Sequence, residues 1–422
     1  MRVLFVIFPA TAHVHPVVPL AWALRAAGHE VRVATHAGIA ETVGAAGLST
    51  VPVGDVEPLR HVVELSKDPS LLEELDAGLT LDAENADDWE TTWLRTVRSL
   101  SVFGHALDDL VAVCRSWQPD LVVWDPFCVP AALAARLVGA AHVRCLWGQD
   151  NVGWLRARAR EQAGHDGPDE ILARLMEPLL EKYGLAYDDE LLLGQWTIDP
   201  SLDGLRPATG LPTLPMRQLP YHGAATPPPW LDERPSRPRV CLTLGVGGRG
   251  RQLFAETGVS LTDAVTELST LDIELLVTLE PGQWPDDVAL PDNVRLIDYV
   301  PLDLLLPTCT AVIHHGGTGT FNAAVAHQVL QLIVPMPFWE EPTNARHLRE
   351  RGAGETIDPA MFSADALRER LARLLEEPRF REGTRQLHEE YLKAPAPHDL
   401  VADLESLTRD HHDRATRPDN VD

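Results

Sequence analysis

One stretch, from Ala311 to His347, constrains the fold of this chain more than any other. It reads AVIHHGGTGTFNAAVAHQVLQLIVPMPFWEEPTNARH. A short apolar run, Ala311 to Ile313, leads into a turn rich in glycine and threonine, and a helical pattern begins at about Phe321. The stretch therefore predicts a strand, a tight turn and the start of a helix, as in parallel α/β folds.

The turn between this strand and this helix has the composition of an anion site. Glycines such as Gly317 and Gly319 let the backbone approach a ligand closely. The first N–H groups of a helix lack intrahelical partners and carry the positive end of its dipole. His315, Thr318 and Thr320 add side-chain donors. We therefore expect this turn to hold a diphosphate without a lysine.

A second polar segment follows the next predicted strand, Leu332 to Pro335. It contains Trp339, the paired acids Glu340 and Glu341, and Asn344. Because the carboxyl ends of parallel strands lie at one edge of a sheet, this segment is expected to face the same crevice as the turn.

Strands and helices alternate in both halves of the chain. Arg2 to Phe8, Pro16 to Ala27 and Val31 to Ala34 form a strand–helix–strand pattern, which continues from Ala106 to Leu146. The alternation starts again at Arg239, after a segment dense in proline. At 422 residues the chain is also too long for one ordinary core. The sequence predicts an α/β protein with two Rossmann-like, doubly wound domains facing one cleft.

These patterns also set the predicted domain boundaries. Residues 1–215 form the N-terminal domain, 216–238 a proline-rich linker and 239–396 the C-terminal domain. Residues 397–410 form a last helix, and the charged tail, 411–422, is expected to be disordered.

Charge and cysteine content exclude several classes of protein. Asp and Glu number 62 against 36 Lys and Arg, a formal net charge of −26, whereas nucleic acids and anionic membranes need a basic face. The five cysteines show no zinc or CxxC spacing, which favours buried thiols in a reducing compartment. We find neither a basic leader nor a run that would span a bilayer, so a cytoplasmic location is expected.

Six segments occur in an order typical of one enzyme family. They are the opening strand and helix, PDLVVWDPF, GQWTIDP, RPRVCLTLG, PDNVRLIDYVPLDLLLPTC and HHGGTGT. Over nearly its whole length the chain resembles inverting natural-product glycosyltransferases, above all those that attach deoxysugars to macrolides and anthracyclines in actinomycetes. The resemblance implies the B-type glycosyltransferase fold. It places the acceptor on the N-terminal domain and the nucleotide sugar on the C-terminal domain, with the last helix crossing back to the first domain.

Sugar transfer needs a base that takes the proton of the acceptor hydroxyl. His13 and His15 both lie in the loop predicted after the first strand, and their spacing alone does not rank them. Asp125 follows a different parallel strand, so its carboxylate can meet His13 above the sheet and fix the imidazole tautomer. The resemblance points to His13 as the base and Asp125 as its partner. Since no GxSxG elbow occurs, direct displacement with inversion is expected.

Four further positions are assigned to the donor site. Gly245 ends the first strand of the second half, where a glycine allows close approach. Arg249 either screens phosphate charge or lies in solvent. The resemblance places Tyr299 where the family packs an aromatic ring against the base, and Val300 where backbone groups read the edge of the base.

Glu340 and Glu341 stand where many of the resembled enzymes have an Asp-Gln pair that contacts the sugar. A carboxylate only accepts hydrogen bonds, so this change suits a sugar that offers hydroxyls or an ammonium group. We expect the donor to be a nucleoside diphosphate deoxysugar, with dTDP as the nucleotide, and hypothesise an aminosugar. The expected acceptor is a hydroxyl of a hydrophobic polyketide or similar natural product.

Neither a metal nor a cofactor is expected. No DxD-like site with supporting ligands lies beside the proposed cleft, and the helix start already does for the diphosphate what a cation would do. The resembled enzymes sometimes need an activator protein, for which residues 57–98 and 151–190 are the expected docking segments.

Two other functions stay open on the sequence alone. Gly245, Gly247 and Gly250 form a GxGxxG after a strand, which raises a dinucleotide-dependent oxidoreductase, although the helix starts late and no acidic residue ends the next strand. The other alternative is a non-catalytic nucleotide-sugar-binding or activator-like homologue. Four tryptophans fit either a core or an acceptor pocket: Trp89, Trp93, Trp147 and Trp154.

Overall fold

The computed structural model describes residues 1–55, 59, 92–94, 96–97, 100, 102–163, 167–245, 249–279, 284–285, 287–336 and 339–416, with backbone alone at 249–252 and 415–416. The first sheet contains β1 Arg2–Val6, β2 Glu30–Thr35, β3 Thr50–Pro52, β4 Leu121–Trp124, β5 Ala141–Cys145, β6 Trp196–Asp199 and β7 Thr213–Pro215. Its order is β3-β2-β1-β4-β5-β6-β7, and neighbouring strands are parallel.

The second sheet repeats this plan in the C-terminal half. It contains β8 Arg239–Thr243, β9 Glu274–Thr278, β10 Val294–Ile297, β11 Ala311–His314, β12 Leu330–Ile333 and β13 Gly354–Thr356. Its order is β10-β9-β8-β11-β12-β13, again with parallel neighbours. The prediction of two doubly wound α/β sheets is therefore confirmed.

Helices connect the strands in both halves. Those of the N-terminal half are α1 Thr11–Ala26, α2 Ala40–Ala45, α3 Leu107–Trp117, α4 Pro130–Val138, α5 Asn151–Ala163, α6 Gly167–Tyr183 and α7 Glu190–Leu193. Those of the C-terminal half are α8 Arg249–Thr257, α9 Leu261–Leu268, α10 Leu302–Leu305, α11 Thr318–Ala326, α12 Glu341–Glu350, α13 Ala364–Glu376, α14 Pro378–Lys393 and α15 Leu400–Thr416. Across the described ranges, no helix combines the length and apolar character needed to cross a membrane.

Apolar side chains cover both faces of each sheet. Along β1, Leu4 and Val6 point into one core, and Val3 and Phe5 into another on the opposite face. Such two-sided burial is typical of parallel sheets and explains why these strands read as continuous apolar runs.

The last helix packs on the N-terminal domain. Leu400, Val401 and Leu404 are buried in the same core as Val3. The helix continues to Thr416, past the predicted end at residue 410, so the predicted disorder of residues 411–416 is wrong. Residues 417–422 lie outside the described part of the chain.

Two helices begin earlier than the sequence pattern predicts. Helix α1 starts at Thr11, so His13 and His15 lie in a helix and the predicted loop position is wrong. Pro16 is inside α1, because burial of the helix's apolar side chains outweighs the unfavourable proline. Helix α11 starts at Thr318 rather than Phe321.

Strand order reverses at one place in each sheet, between β1 and β4 and between β8 and β11. Ligands of open α/β sheets bind outside the carboxyl ends of the strands at this point. His13 and Asp125 follow β1 and β4, whereas Gly245 and His315 follow β8 and β11. The fold therefore brings these four predicted site residues to the two crevices that this topology provides.

Candidate active site

His13, which is partly buried, and Asp125, which is buried, form a hydrogen-bonded pair above the first sheet. Nδ1 of His13 lies 2.7 Å from Oδ2 of Asp125, which is 2% exposed. The backbone N–H of Phe127 donates to the other carboxylate oxygen, Oδ1, at 2.9 Å. A carboxylate accepts the Nδ1 proton and leaves the lone pair on Nε2, which is the tautomer that a base requires.

The alternative base, His15, has a different environment. Burial and the neighbouring His222 lower the pKa of His15 to about 4, although Asp303 opposes them. Its ring packs edge-on against Tyr221, with centroids 5.3 Å apart. The structure thus gives His13, and not His15, the bond to Asp125 expected of a base.

Aromatic rings surround His13. The ring centroids of Phe8, Phe127 and Trp147 lie 5.0, 5.6 and 4.8 Å from that of His13. Trp339, from the other domain, lies 4.8 Å from Trp147. A small cavity lies between Phe127, Trp147 and Trp339, and polar side chains such as Gln149 also line it. Apolar walls next to a base suit a hydrophobic acceptor.

Two of the other tryptophans considered above, Trp93 and Trp154, lie away from His13. Trp93 is fully buried in the core, and Trp154 packs partly buried against the same core. Trp89 lies outside the described residues. Of the three that the structure describes, Trp147 is the one beside His13.

His314 holds the glycine-rich turn from below. The N–H of Gly316 donates to Nδ1 of His314 at 3.1 Å, so Nε2 carries the proton and donates to Gln331 Oε1 at 3.0 Å. Burial lowers the pKa of His314 to about 4, against the hydrogen bond to Gln331. Gly316 has a φ of +107°, which glycine adopts most readily. His314 is therefore a neutral structural residue of the turn.

His315 lies between two glycines at the mouth of the turn. A Cβ on Gly317 would lie 2.8 Å from Nε2 of His315, and one on Gly245 would lie 2.9 Å from Cε1. Both glycines therefore leave room for the imidazole. Oε1 of Glu341 lies 3.7 Å from the same Nε2.

Glu340 and Glu341 have different positions. Glu341 is fully buried, and its Oε2 accepts from the N–H of Met336 at 3.1 Å, beneath the turn. Oε1 of Glu340 accepts from the hydroxyl of Thr318 at 2.6 Å. Oε2 of Glu340 is also buried, without a hydrogen-bond partner among the residues that the structure describes. Glu340 lies close to the N-terminal domain, since a Cβ on Gly148 would lie 3.3 Å from its Oε1.

A buried glutamine, which we did not predict from the sequence, joins the two domains. Gln149 donates to Asn344 Oδ1 at 3.0 Å and accepts from the hydroxyl of Thr343 at 2.9 Å. Asn344 in turn donates to the carbonyl of Gly316 at 2.9 Å. The one signal for Gln149 in the sequence was that it follows β5 closely, and site residues of such folds lie after the carboxyl ends of strands.

The remaining predicted donor residues have different positions. Tyr299 is 46% exposed, and its hydroxyl donates to the carbonyl of His222. Val300 is buried in the core behind the second sheet. Arg249 begins α8, but its side chain lies outside the described residues. Gly319 and Thr320 belong to the first turn of α11, as an anion site requires.

Two family profiles match the chain. Residues 22–245 match the erythromycin biosynthesis protein CIII-like N-terminal domain, and residues 262–407 match the C-terminal domain of that name. The chain belongs to this glycosyltransferase family. Membership of a glycosyltransferase family argues against a dinucleotide-dependent oxidoreductase, and the GxGxxG at Gly245, Gly247 and Gly250 lies at the junction between the two matched ranges.

Curated relatives cover almost the whole chain. Aclacinomycin-T 2-deoxy-L-fucose transferase of Streptomyces galilaeus is 40% identical over 99% of this chain and 98% of its own length. The 10-deoxymethynolide desosaminyltransferase of Streptomyces venezuelae is 39% identical over 97% of this chain and 98% of its own length.

Solved structures give the same assignment. Glycosyltransferase VinC in complex with dTDP has a TM-score of 0.86 and 35% identity, and the match covers 97% of this chain and 100% of VinC. Spinosyn forosaminyltransferase SpnP has a TM-score of 0.79 and 39% identity, covering 97% of this chain and 99% of its own. The B-type glycosyltransferase fold expected from the sequence is confirmed.

Proposed function

We propose that this glycosyltransferase moves a deoxysugar from dTDP to a hydroxyl of a polyketide or similar natural product, with inversion at the anomeric carbon. The observation that carries the proposal is the pair His13–Asp125, which lies at the switch point of one sheet, while the start of α11 occupies that of the other. The relatives that transfer 2-deoxy-L-fucose and desosamine, and the dTDP complex of VinC, support the choice of substrates.

The proposed reaction is a single displacement. His13 Nε2 takes the proton of the acceptor hydroxyl, whose oxygen forms a new bond to the anomeric carbon of the sugar. The bond from that carbon to the diphosphate oxygen breaks, and its electron pair leaves with the diphosphate. Asp125 stabilises the imidazolium that results. One displacement from the opposite face gives inversion.

Stabilisation of the leaving diphosphate is assigned to the C-terminal domain. The free N–H groups at the start of α11 and the side chain of His315 face the developing charge. Oε1 of Glu341 lies 3.7 Å from Nε2 of His315, so we assign Glu341 the role of positioning this imidazole rather than of contacting the sugar. We also propose that no metal is required, because these donors supply the stabilisation. Activity that survives EDTA treatment supports this; activity lost with EDTA and restored by Mg²⁺ contradicts it.

Glu340 is the residue proposed to select an aminosugar. Its buried Oε2 lies in the interface that also contains Trp147 and Trp339. A carboxylate next to aromatic faces is a favourable environment for an ammonium group. If the proposal is correct, Glu340→Gln lowers kcat/KM for an aminosugar donor but not for the matching hydroxy-sugar donor. An equal effect on both donors would refute it.

Calorimetry and transfer assays together test the whole proposal. We expect wild type to bind dTDP and His315→Ala to bind it more weakly. His13→Ala should keep dTDP affinity but lose about 100- to 10,000-fold in kcat, the usual contribution of a general base. His15→Ala should keep most of the activity. A fully active His13→Ala would refute His13 as the base. A wild type that binds dTDP but transfers no sugar, even after co-expression with candidate activators, would favour the non-catalytic alternative.

Two expectations stay predictions. One is the cytoplasmic location. The other is an activator protein at residues 57–98 or 151–190, of which the first segment lies largely outside the described residues. Co-expression with candidate activators tests the second.

A further inference from the structure

The linker between the two domains carries a histidine that the proposed mechanism does not use. Nδ1 of His222 lies 3.3 Å from Oδ1 of Asp303, which belongs to α10 of the C-terminal domain. The pair repeats, on the donor side, the combination of residue types found in His13 and Asp125.

Contacts from both domains fix the linker at this point. The hydroxyl of Tyr299 donates to the carbonyl of His222. From the other side, the ring of Tyr221 packs edge-on against Trp22 and His15, with centroids 5.1 and 5.3 Å apart. His222 is therefore held in place, and its side chain is only 18% exposed.

The imidazole points towards the start of α11. Nε2 of His222 lies 4.0 Å from the position of a Cβ on Gly319, the second residue of that helix. The linker also contacts α11 further along, where Asn322 donates to Gln218 Oε1 at 2.5 Å. An anion at the start of α11 would therefore lie between the free N–H groups of the helix and Nε2 of His222.

Asp303 makes His222 a suitable donor to such an anion. Burial raises the pKa of Asp303, but hydrogen bonds from His222 and from the backbone outweigh it, so the pKa is lowered overall. The carboxylate is thus ionised at neutral pH and holds Nδ1–H. To donate from Nε2, the ring must carry a second proton, and it would then be a cation between two anions, the Asp303 carboxylate at Nδ1 and the phosphate at Nε2.

We propose that His222 is a further catalytic residue, which donates a hydrogen bond to the leaving diphosphate, and that Asp303 positions it. The inference rests on the proposed function, since it needs a diphosphate at α11. His222 acts from the linker, and His315 from the loop after β11. Because negative charge grows on the diphosphate as the sugar bond breaks, this hydrogen bond strengthens in the transition state.

Three variants of the full chain test the inference: His222→Ala, Asp303→Asn and the control His398→Ala. His398 is a matched control because it also pairs with a carboxylate, Asp399 Oδ1 at 3.2 Å, but its side chain is 75% exposed. We expect His222→Ala to weaken dTDP binding roughly 10- to 100-fold, the contribution of one hydrogen bond to a charged group. Binding of thymidine, which has no phosphate, should not change. Asp303→Asn should have an intermediate effect, and His398→Ala none.

Thymidine separates a contact to phosphate from a general disturbance of the site. Equal losses for thymidine and dTDP would mean that His222 merely holds the fold, and would overturn the inference. Unchanged dTDP affinity and kcat in His222→Ala would also overturn the inference. The proposed function would still stand in that case, provided that the wild type binds dTDP and transfers the sugar. If wild type itself fails to bind dTDP, the proposed function falls first. Transfer assays should show that kcat falls in His222→Ala, because the bond matters most in the transition state.

Discussion

Replacing Asp125 by asparagine is the sharpest test of the proposed base. The two carboxylate oxygens have separate tasks, since Oδ1 accepts from the N–H of Phe127 and Oδ2 accepts from Nδ1 of His13. In Asp125→Asn, the amide oxygen is expected to keep the bond to the fixed N–H of Phe127. The amide NH₂ then faces His13, so Nδ1 must accept and the ring proton moves to Nε2. That tautomer cannot take a proton from the acceptor.

The expected loss exceeds that of a single hydrogen bond. A hydrogen bond to a charged group contributes about 1.5–3 kcal/mol, or roughly ten- to 150-fold in rate. Since the wrong tautomer adds to this, we expect Asp125→Asn to lose about 100- to 10,000-fold in kcat. Asp125→Ala leaves the tautomer free, so it should retain as much activity as Asp125→Asn, or more.

Steady-state kinetics with a deoxysugar donor, and calorimetry with dTDP, provide the measurement. Binding of dTDP should be unchanged in both variants, because the donor site belongs to the other domain. Asp120→Asn is a matched control, since Asp120 also accepts a backbone N–H, that of Arg2 at 2.7 Å, but lies at the opposite end of the sheet from His13. An Asp125→Asn variant with wild-type kcat, or one clearly more active than Asp125→Ala, would refute the tautomer argument.

Three further predictions concern the turn and the interface between the domains. Gln149→Leu removes the donor to Oδ1 of Asn344 and should lower the free energy of unfolding by about 1–3 kcal/mol in urea titrations; unchanged stability contradicts the role of Gln149. Gly317→Ala, at an ordinary φ of −59°, should displace His315 and weaken dTDP binding roughly tenfold by calorimetry, and equal affinity would contradict this. Because burial holds the pKa of His314 at about 4, below its usual 6.5, the unfolded state binds more protons between these values. Stability should therefore fall as pH drops from about 6.5 to about 4. In His314→Asn, Tm should depend less on pH over this range.

Much of the fold follows from local patterns in the sequence. Buried parallel strands appear in the sequence as apolar runs. The turn before α11 is predictable because few other structures require so many glycines. The same reasoning put His13 and Asp125 behind different strands, although it misjudged where α1 begins. The start of α1 was missed because proline is a local signal, whereas burial of the helix depends on distant strands.

The tertiary structure decided which of these side chains meet. The sequence left His13 and His15 unranked, and the fold gives Asp125 to His13. Spacing made Glu340 and Glu341 equivalent, yet one lies at the interface and the other beneath the turn, since neighbours at a helix start point in different directions.

Gln149 and His222 show most clearly which residues a sequence pattern does not identify. Neither belongs to a motif, and each gains a role only where two domains approach. Their partners, Asn344 and Asp303, lie far along the chain, so the contacts depend on how the two sheets face each other. The sequence by itself determined two parallel sheets and the residues at their carboxyl edges. Only the tertiary structure decided which of these residues share a site, because the pairing of β1 with β4 and the contacts between the two domains depend on distances that no local pattern records.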